Sequence, residues 1–262
     1  MSSAIKIYQF PPVLNMQPSS FGLKLETWLR MSGLDYDVEF TVRKMGPKGK
    51  IPYVSFDGRE MGDTELIIAA LSVRFSVDID AGLSDEQKAH STLLRRLGEE
   101  HLYFALVYSR WVDPDGWQTF RGRMFGEVPL LLRGMISKKL RKQVAGTLHA
   151  QGIGRHSAAE VSAKARADLQ ALSKMLGDKA YFLGSKATSV DASVYGLLAN
   201  IYFQEDANAL QGILKNFANL TRYCDRIKAE YWSDAQLGGG EEGRFRVSAQ
   251  VSTLQTSQLK SA

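Results

Sequence analysis

The strongest constraint on the fold is a hydrophobic period that changes repeatedly through the first 76 residues and then settles. IKIYQF, with Ile5, Ile7 and Phe10, reads as a short apolar strand. In MQPSSFGLKLETWLRMSG, Leu25, Trp28 and Leu29 fall at i, i+3, i+4 with Phe21 one turn earlier, and Gly33 is a natural stop. YDVEFTV returns to period two through Tyr36, Val38, Phe40 and Val42. RKMGPKGK is a loop, and IPYVSF joined to REM by Asp57-Gly58 is a hairpin. A second helix begins at GDTELIIAALSVRF. This order builds a small mixed sheet with helices packed on it.

From Ser84 onward no segment reads as a strand. SDEQKAHSTLLRRLGEEHLYFALVYSRWV is helical, DPDGW breaks it, and a long basic helical region runs to about Ala150. QGIGRHS is a second break, followed by three more helical stretches ending near Trp232. The expected layout is an α/β domain over residues 1–76, an all-helical domain over 84–232, and a Gly-rich, polar mobile tail over 233–262.

Composition narrows the function classes. Of the 262 residues, 44% are hydrophobic and 23% charged, as in an ordinary soluble protein. No apolar run is long enough to span a bilayer, and MSSAIKIYQF lacks the pattern of a secretory signal. Cys224 is the one cysteine, which precludes an intramolecular disulfide and fits a reducing, cytoplasmic setting. The net charge is +5, and residues 110–142 alone hold eight Lys and Arg against three Asp and Glu. That segment reads as a solvated face or as a surface for an anionic partner. It carries no nucleic-acid motif.

Three short features suggest a binding site. Ser19 and Ser20 open the first helix, whose unpaired N–H groups and positive dipole end favour an anion. Serine is also a common cap, and capping accounts for either residue taken singly. Ile51-Pro52 precedes a strand. It serves as punctuation or, in the cis form, turns the preceding backbone toward a ligand. Asp63-Thr64 opens the second helix as a cap, or as a carboxylate site with Asp63 free to meet an ammonium. Together they suggest a zwitterionic, thiol-bearing peptide lying across the sheet edge. Thr188-Ser-Val-Asp191 is a capping box with a structural role.

S-S-F-G at the first helix, K-I-P-Y before the hairpin, D-T at the next helix and the T-S-V-D box resemble the glutathione S-transferase fold, a thioredoxin-like domain followed by an all-α domain. SSFGLKLETWLRMSGLDYDVE, GPKGKIPYV, GWQTFRGRMFGEVP, QGIGRHSAAEV and DLQALSKMLGDKAYFLG are similar to its failed-axon-connections and metaxin-like branch. The resemblance spans residues 4 to about 232. It implies that Ser19, or Ser20 if the register slips by one, faces the sulfur of glutathione. It further implies that Ile51 and the cis Pro52 pair with the cysteinyl backbone, and that Asp63 and Thr64 hold the γ-glutamyl end. Lys50, or Lys48, would meet the glycyl carboxylate. Gly22 takes the second position of the ancestral C-x-x-C pair, which removes dithiol redox chemistry.

A free thiol titrates near roughly 8.5, so a hydroxyl donor at a helix N-terminus would raise the thiolate fraction for attack on a hydrophobic electrophile. The acceptor pocket is expected between the domains, where His101, Tyr103, Phe104, Tyr108, Arg110, Trp111 and Trp117 read as core or as pocket lining, with Arg110 at the surface or set to orient an anionic group. Arg155 and His156 in GIGRHS read as an anion site or as neighbours of a Ser157 cap. His90, His149 and His156 show no metal-ligand spacing. The resemblance also implies a homodimer. The competing function is a non-catalytic glutathione-binding or protein-interaction module of the metaxin kind.

Overall fold

The computed structural model of the chain describes residues 5–13, 17–126, 128–204, 208–233 and 243–245. Met16, in the opening of the first helical motif, lies outside them. Strand β1 (Ile5–Gln9) leads to helix α1 (Ser20–Ser32), then β2 (Tyr36–Phe40), β3 (Tyr53–Phe56), β4 (Arg59–Gly62) and helix α2 (Thr64–Phe75). The sheet order is β4-β3-β1-β2 with one further strand beside β2. β1 and β2 are parallel and the other pairs antiparallel. Ile5, Ile7, Val38 and Val54 join Leu25, Trp28 and Leu29 of α1 and Ile67 and Leu71 of α2 in one core.

That further strand, β5 (Gly243–Phe245), falls inside the expected mobile tail and pairs antiparallel with β2. An edge strand offers a free row of N–H and C=O groups to any extended backbone, so the pairing needs no apolar period and leaves little sequence signal. Apart from Ser233 and these three residues, the expected tail lies outside the described residues.

Helices α3 (Asp85–Leu97) and α4 (Tyr103–Trp111) run on through one π-helical turn, Gly98–Leu102. The long basic helical region, expected to about Ala150, consists of two helices, α5 (Pro114–Met124) and α6 (Leu130–Gln151). Pro129 accounts for the interruption, because a proline drives its predecessor out of the helical region. Beyond lie α7 (Ala158–Leu176), α8 (Ser189–Tyr202), α9 (Ala209–Lys215) and α10 (Ala218–Tyr231). The capping box forms as read. Asp191 Oδ2 accepts from Thr188 N–H at 2.9 Å and from its Oγ1 at 2.8 Å, while Oδ1 accepts from Phe182 N–H at 3.0 Å.

The seam between sheet and helices is α1 against α8. A Cβ on Gly196 would stand 2.5 Å from the Ser20 carbonyl oxygen and 2.8 Å from Lys24 N, so only glycine admits this backbone contact. Squeezed on both sides, α1 buries its polar residues as well as its apolar face. Lys24 pairs with Glu99 at 2.6 Å, and burial brings its pKa down against that partner. Glu26 accepts from Gln9 Nε2 at 2.8 Å and from the Tyr36 hydroxyl at 3.0 Å. Arg30 donates to the Tyr231 carbonyl at 3.0 Å and lies 4.1 Å from the Trp232 ring centre.

The basic segment divides its labour. Arg141 braces the chain, donating from Nε to the Trp111 carbonyl at 2.8 Å and from Nη2 to that of Val112 at 3.0 Å. Lys138, Lys139 and Lys142 are exposed. Among the described residues, no helix is long and apolar enough to cross a membrane. Cys224, on α10, is fully buried, and burial pushes its thiol well above the usual range.

Candidate functional site

Strand register brings the three sequence features to one end of the sheet. Tyr8, near the end of β1, pairs with Tyr53 at the start of β3, and Tyr53 in turn pairs with Gly62 at the end of β4. The segment entering α1, the residues before Tyr53 and the start of α2 therefore share that end. The Ile51-Pro52 peptide there is cis. Pro52 is buried and Ile51 half-buried.

Ser19 is the N-cap of α1, half-buried, in extended conformation (φ −93°, ψ 119°). Its Oγ accepts from Gly22 N–H at 3.2 Å. Accepting that bond uses an oxygen lone pair and leaves the hydroxyl proton to donate. Capping and thiol donation are thus compatible in one residue. The helix has no acidic residue in its first turn, so its positive end keeps its full attraction for an anion.

Gln17 was not a sequence candidate and proves central to this end. Its side chain is fully buried, its Nε2 donates to the Phe10 carbonyl at 3.0 Å, and its Oε1 accepts from Ser19 N–H at 3.2 Å. It closes the loop ahead of α1 and fixes where Ser19 stands. A Cβ at Gly22 would lie 3.1 Å from Gln17 Cδ, so the missing second cysteine coincides with a position that has little room for a side chain. The nearest sequence signal was a polar residue directly before a proline, which is compatible with many loops.

Ser20 belongs elsewhere. It is 7% exposed and its Oγ has no hydrogen-bond partner among the described residues. It lines a small cavity with Lys24, Glu99, Tyr103 and Ser193, inside the seam rather than at the sheet end. The geometry favours Ser19 as the residue that presents a hydroxyl.

At α2, Asp63 is exposed, and its Oδ1 accepts from Glu65 N–H at 3.0 Å and Leu66 N–H at 3.2 Å. Its backbone has φ 82° and ψ 112°. Positive φ is uncommon for a residue with a side chain, and such outliers cluster at ligand sites. Thr64 is 6% exposed and has no side-chain hydrogen bond to the described residues. Lys50 is exposed, and its carbonyl accepts from Gly46 N–H at 3.2 Å, holding the loop that here stands without a helix. Lys48 is exposed as well. Neither lysine forms an ion pair among the described residues.

The aromatic stretch expected to line an acceptor pocket is split. Trp111 and Trp117 stack at 5.5 Å with Phe120 and Phe125 close by, forming a small core between α4 and α5. Tyr103 meets Phe21 edge-on at 5.0 Å. His101 Nδ1 sits 2.5 Å from Asp168 Oδ2, tying the π turn to α7. Arg110 alone of that group lines the cleft beside Pro18. GIGRHS is a structural joint. Ser157 and Glu160 form a capping box, and Arg155 Nε donates to the His149 carbonyl at 3.1 Å. Among the described residues, no three His, Cys, Asp or Glu side chains converge as a metal site would require.

The comparisons with known proteins agree with the fold. The glutathione S-transferase N-terminal domain matches residues 20–116, and the C-terminal domain of the same family matches residues 165–227. An isoprene-epoxide–glutathione S-transferase of Rhodococcus sp. (strain AD45) is 32% identical over 87% of this chain and 99% of that protein. The chain belongs to the glutathione S-transferase family. Within that family, Failed axon connections of Drosophila melanogaster is 31% identical over 88% of this chain and 58% of its own length. Human metaxin-2 is 25% identical over 85% of this chain and 86% of its own. Among solved structures, a β-etherase from Sphingobium sp. strain SYK-6 superposes with a TM-score of 0.58 at 16% identity, over 86% of this chain and 95% of that one. At that identity the likeness concerns the fold.

Proposed function

We propose that this glutathione S-transferase family member binds glutathione across the sheet end and activates its thiol for attack on a hydrophobic electrophile. The observation that carries the reading is Ser19, a cap whose proton is free, at a helix end with no acid of its own, beside the cis Ile51-Pro52 peptide and Asp63-Thr64. Ser19 donates to the sulfur, Ile51 and Pro52 meet the cysteinyl backbone, Asp63 and Thr64 hold the γ-glutamyl end, and Lys50 faces the glycyl carboxylate. One unit of thiol pKa depression corresponds to about 1.4 kcal/mol, and a hydroxyl donor together with a helix end can supply that. Ser20 has no role in this scheme. A homodimer and a cytoplasmic location complete the proposal, to be checked by sedimentation and by fractionation.

Calorimetric titration with glutathione, followed by turnover assays on an electrophile panel that begins with isoprene epoxide, tests it. Saturable binding with conjugate formation is expected. The similarity to Failed axon connections and metaxin-2 supports a second reading, a glutathione-binding interaction module. Binding without turnover across the panel would favour that module, and no binding at millimolar glutathione would end the first reading.

A further inference from the structure

Directly beyond Pro18 opens a small, solvent-open cleft. Its walls include Val13, Pro18, Arg110, Phe120, Asn200 and Phe203. Pro18 directly precedes Ser19 in the chain, so the cleft begins one residue from the proposed sulfur site. Most of the lining suits an uncharged acceptor, and Arg110 does not.

The guanidinium of Arg110 is held in place by neutral groups. Nη1 donates to the Pro18 carbonyl at 2.9 Å, and Nη2 donates to both the carbonyl and Oδ1 of Asn200 at 2.9 Å. Arginine has five N–H donors, and the buried Nε–H finds no acceptor among the described residues. No carboxylate pairs with this cation among the described residues, and a second arginine, Arg123, lines the same cleft. Burial first, and then Arg123, bring the Arg110 pKa down to about 10, with Tyr103 opposing. A buried charge without a counter-charge is costly to keep. A fold that holds one with three hydrogen bonds, facing a cleft, has prepared a place for an anion.

We propose that the electrophile conjugated here carries a carboxylate remote from its reactive carbon, held by Arg110, with Val13, Phe120 and Phe203 covering the apolar part between. This rests on the glutathione reading above and adds the class of co-substrate to it. The carboxylate supplies a counter-charge that the described residues do not, and the remaining Nη1–H of the guanidinium supplies a donor.

Two glutathione S-conjugates of equal length separate the proposal from its parent reading. S-(5-carboxypentyl)glutathione and S-hexylglutathione differ only in ending on a carboxylate or a methyl group. In calorimetric titrations of the wild-type protein the acid conjugate is expected to bind about tenfold tighter or more, the scale of one bond to a charged group. Arg110→Gln should bring the ratio close to one, and Arg110→Lys should restore part of it. Equal affinity of the two conjugates for the wild type overturns the proposal while glutathione binding itself still stands. Failure of glutathione and both conjugates to bind overturns both readings. A preference that survives in Arg110→Gln removes Arg110 from the role. If that variant does not fold, the wild-type ratio decides alone.

Discussion

Helices α1 and α2 begin at the same end of the sheet and present opposite electrostatics. α1 starts with a neutral cap and no acid in its first turn. α2 starts with Asp63, which already fills two of its N–H groups, and has Glu65 in its first turn. A helix end carries roughly half a positive charge, so α1 offers that charge to an incoming group while α2 has spent it on its own carboxylate. On the proposed reading an anionic sulfur sits at the first and an ammonium beside the second. A zwitterionic peptide laid between them would meet a complementary partner at either end, which would orient it as well as bind it.

That contrast can be broken from either side. Asp63→Ala should cost most, weakening glutathione about tenfold or more in titration, because the ammonium loses a charged acceptor, and lowering fold stability by about 1 kcal/mol through loss of the cap. Ser19→Asp makes the two ends alike. The new carboxylate still caps α1 but repels a thiolate, so the pKa of bound glutathione should rise by about one unit or more, seen as thiolate absorbance against pH. Ser19→Ala removes the donor without adding charge. A smaller upward shift is expected, moving the pH profile of kcat/KM toward alkaline values, with about 1 kcal/mol lost in urea melts. An unchanged profile would leave Ser19 as a cap alone. Ser20→Ala should change least, within about 0.5 kcal/mol and with unaltered glutathione affinity, since its buried hydroxyl has no partner to lose.

What could be read from the chain follows the reach of the interactions. Ser19, Gly33, Ser157 and the Thr188–Asp191 box are settled by contacts within a few residues, and each forms the cap its spacing announces. The apolar stripe of Leu25, Trp28 and Leu29 likewise lies buried, as its period requires. Burial of Lys24, Glu26 and Arg30 was illegible, because their partners come from Glu99, Gln9 with Tyr36, and the Tyr231 carbonyl. The bridge from Pro18 through Arg110 to Asn200 joins three distant parts of the chain, and β5 uses backbone pairing that no side-chain pattern marks. At the candidate site, the residue types could be read and their division of labour could not. Nothing in the pair Ser19-Ser20 says which hydroxyl faces outward until α8 closes over the second.

The buried Cys224 has a practical corollary. On the proposed reading the protein meets a thiol peptide at high concentration and with it the hazard of mixed-disulfide formation, yet its own sulfur lies out of reach and resists ionisation. Alkylation of this chain should therefore count opening events rather than surface chemistry. A maleimide pulse with mass detection would then turn the single sulfur on α10 into an intrinsic clock for unfolding of the helical half, with no label to introduce and no second thiol to subtract.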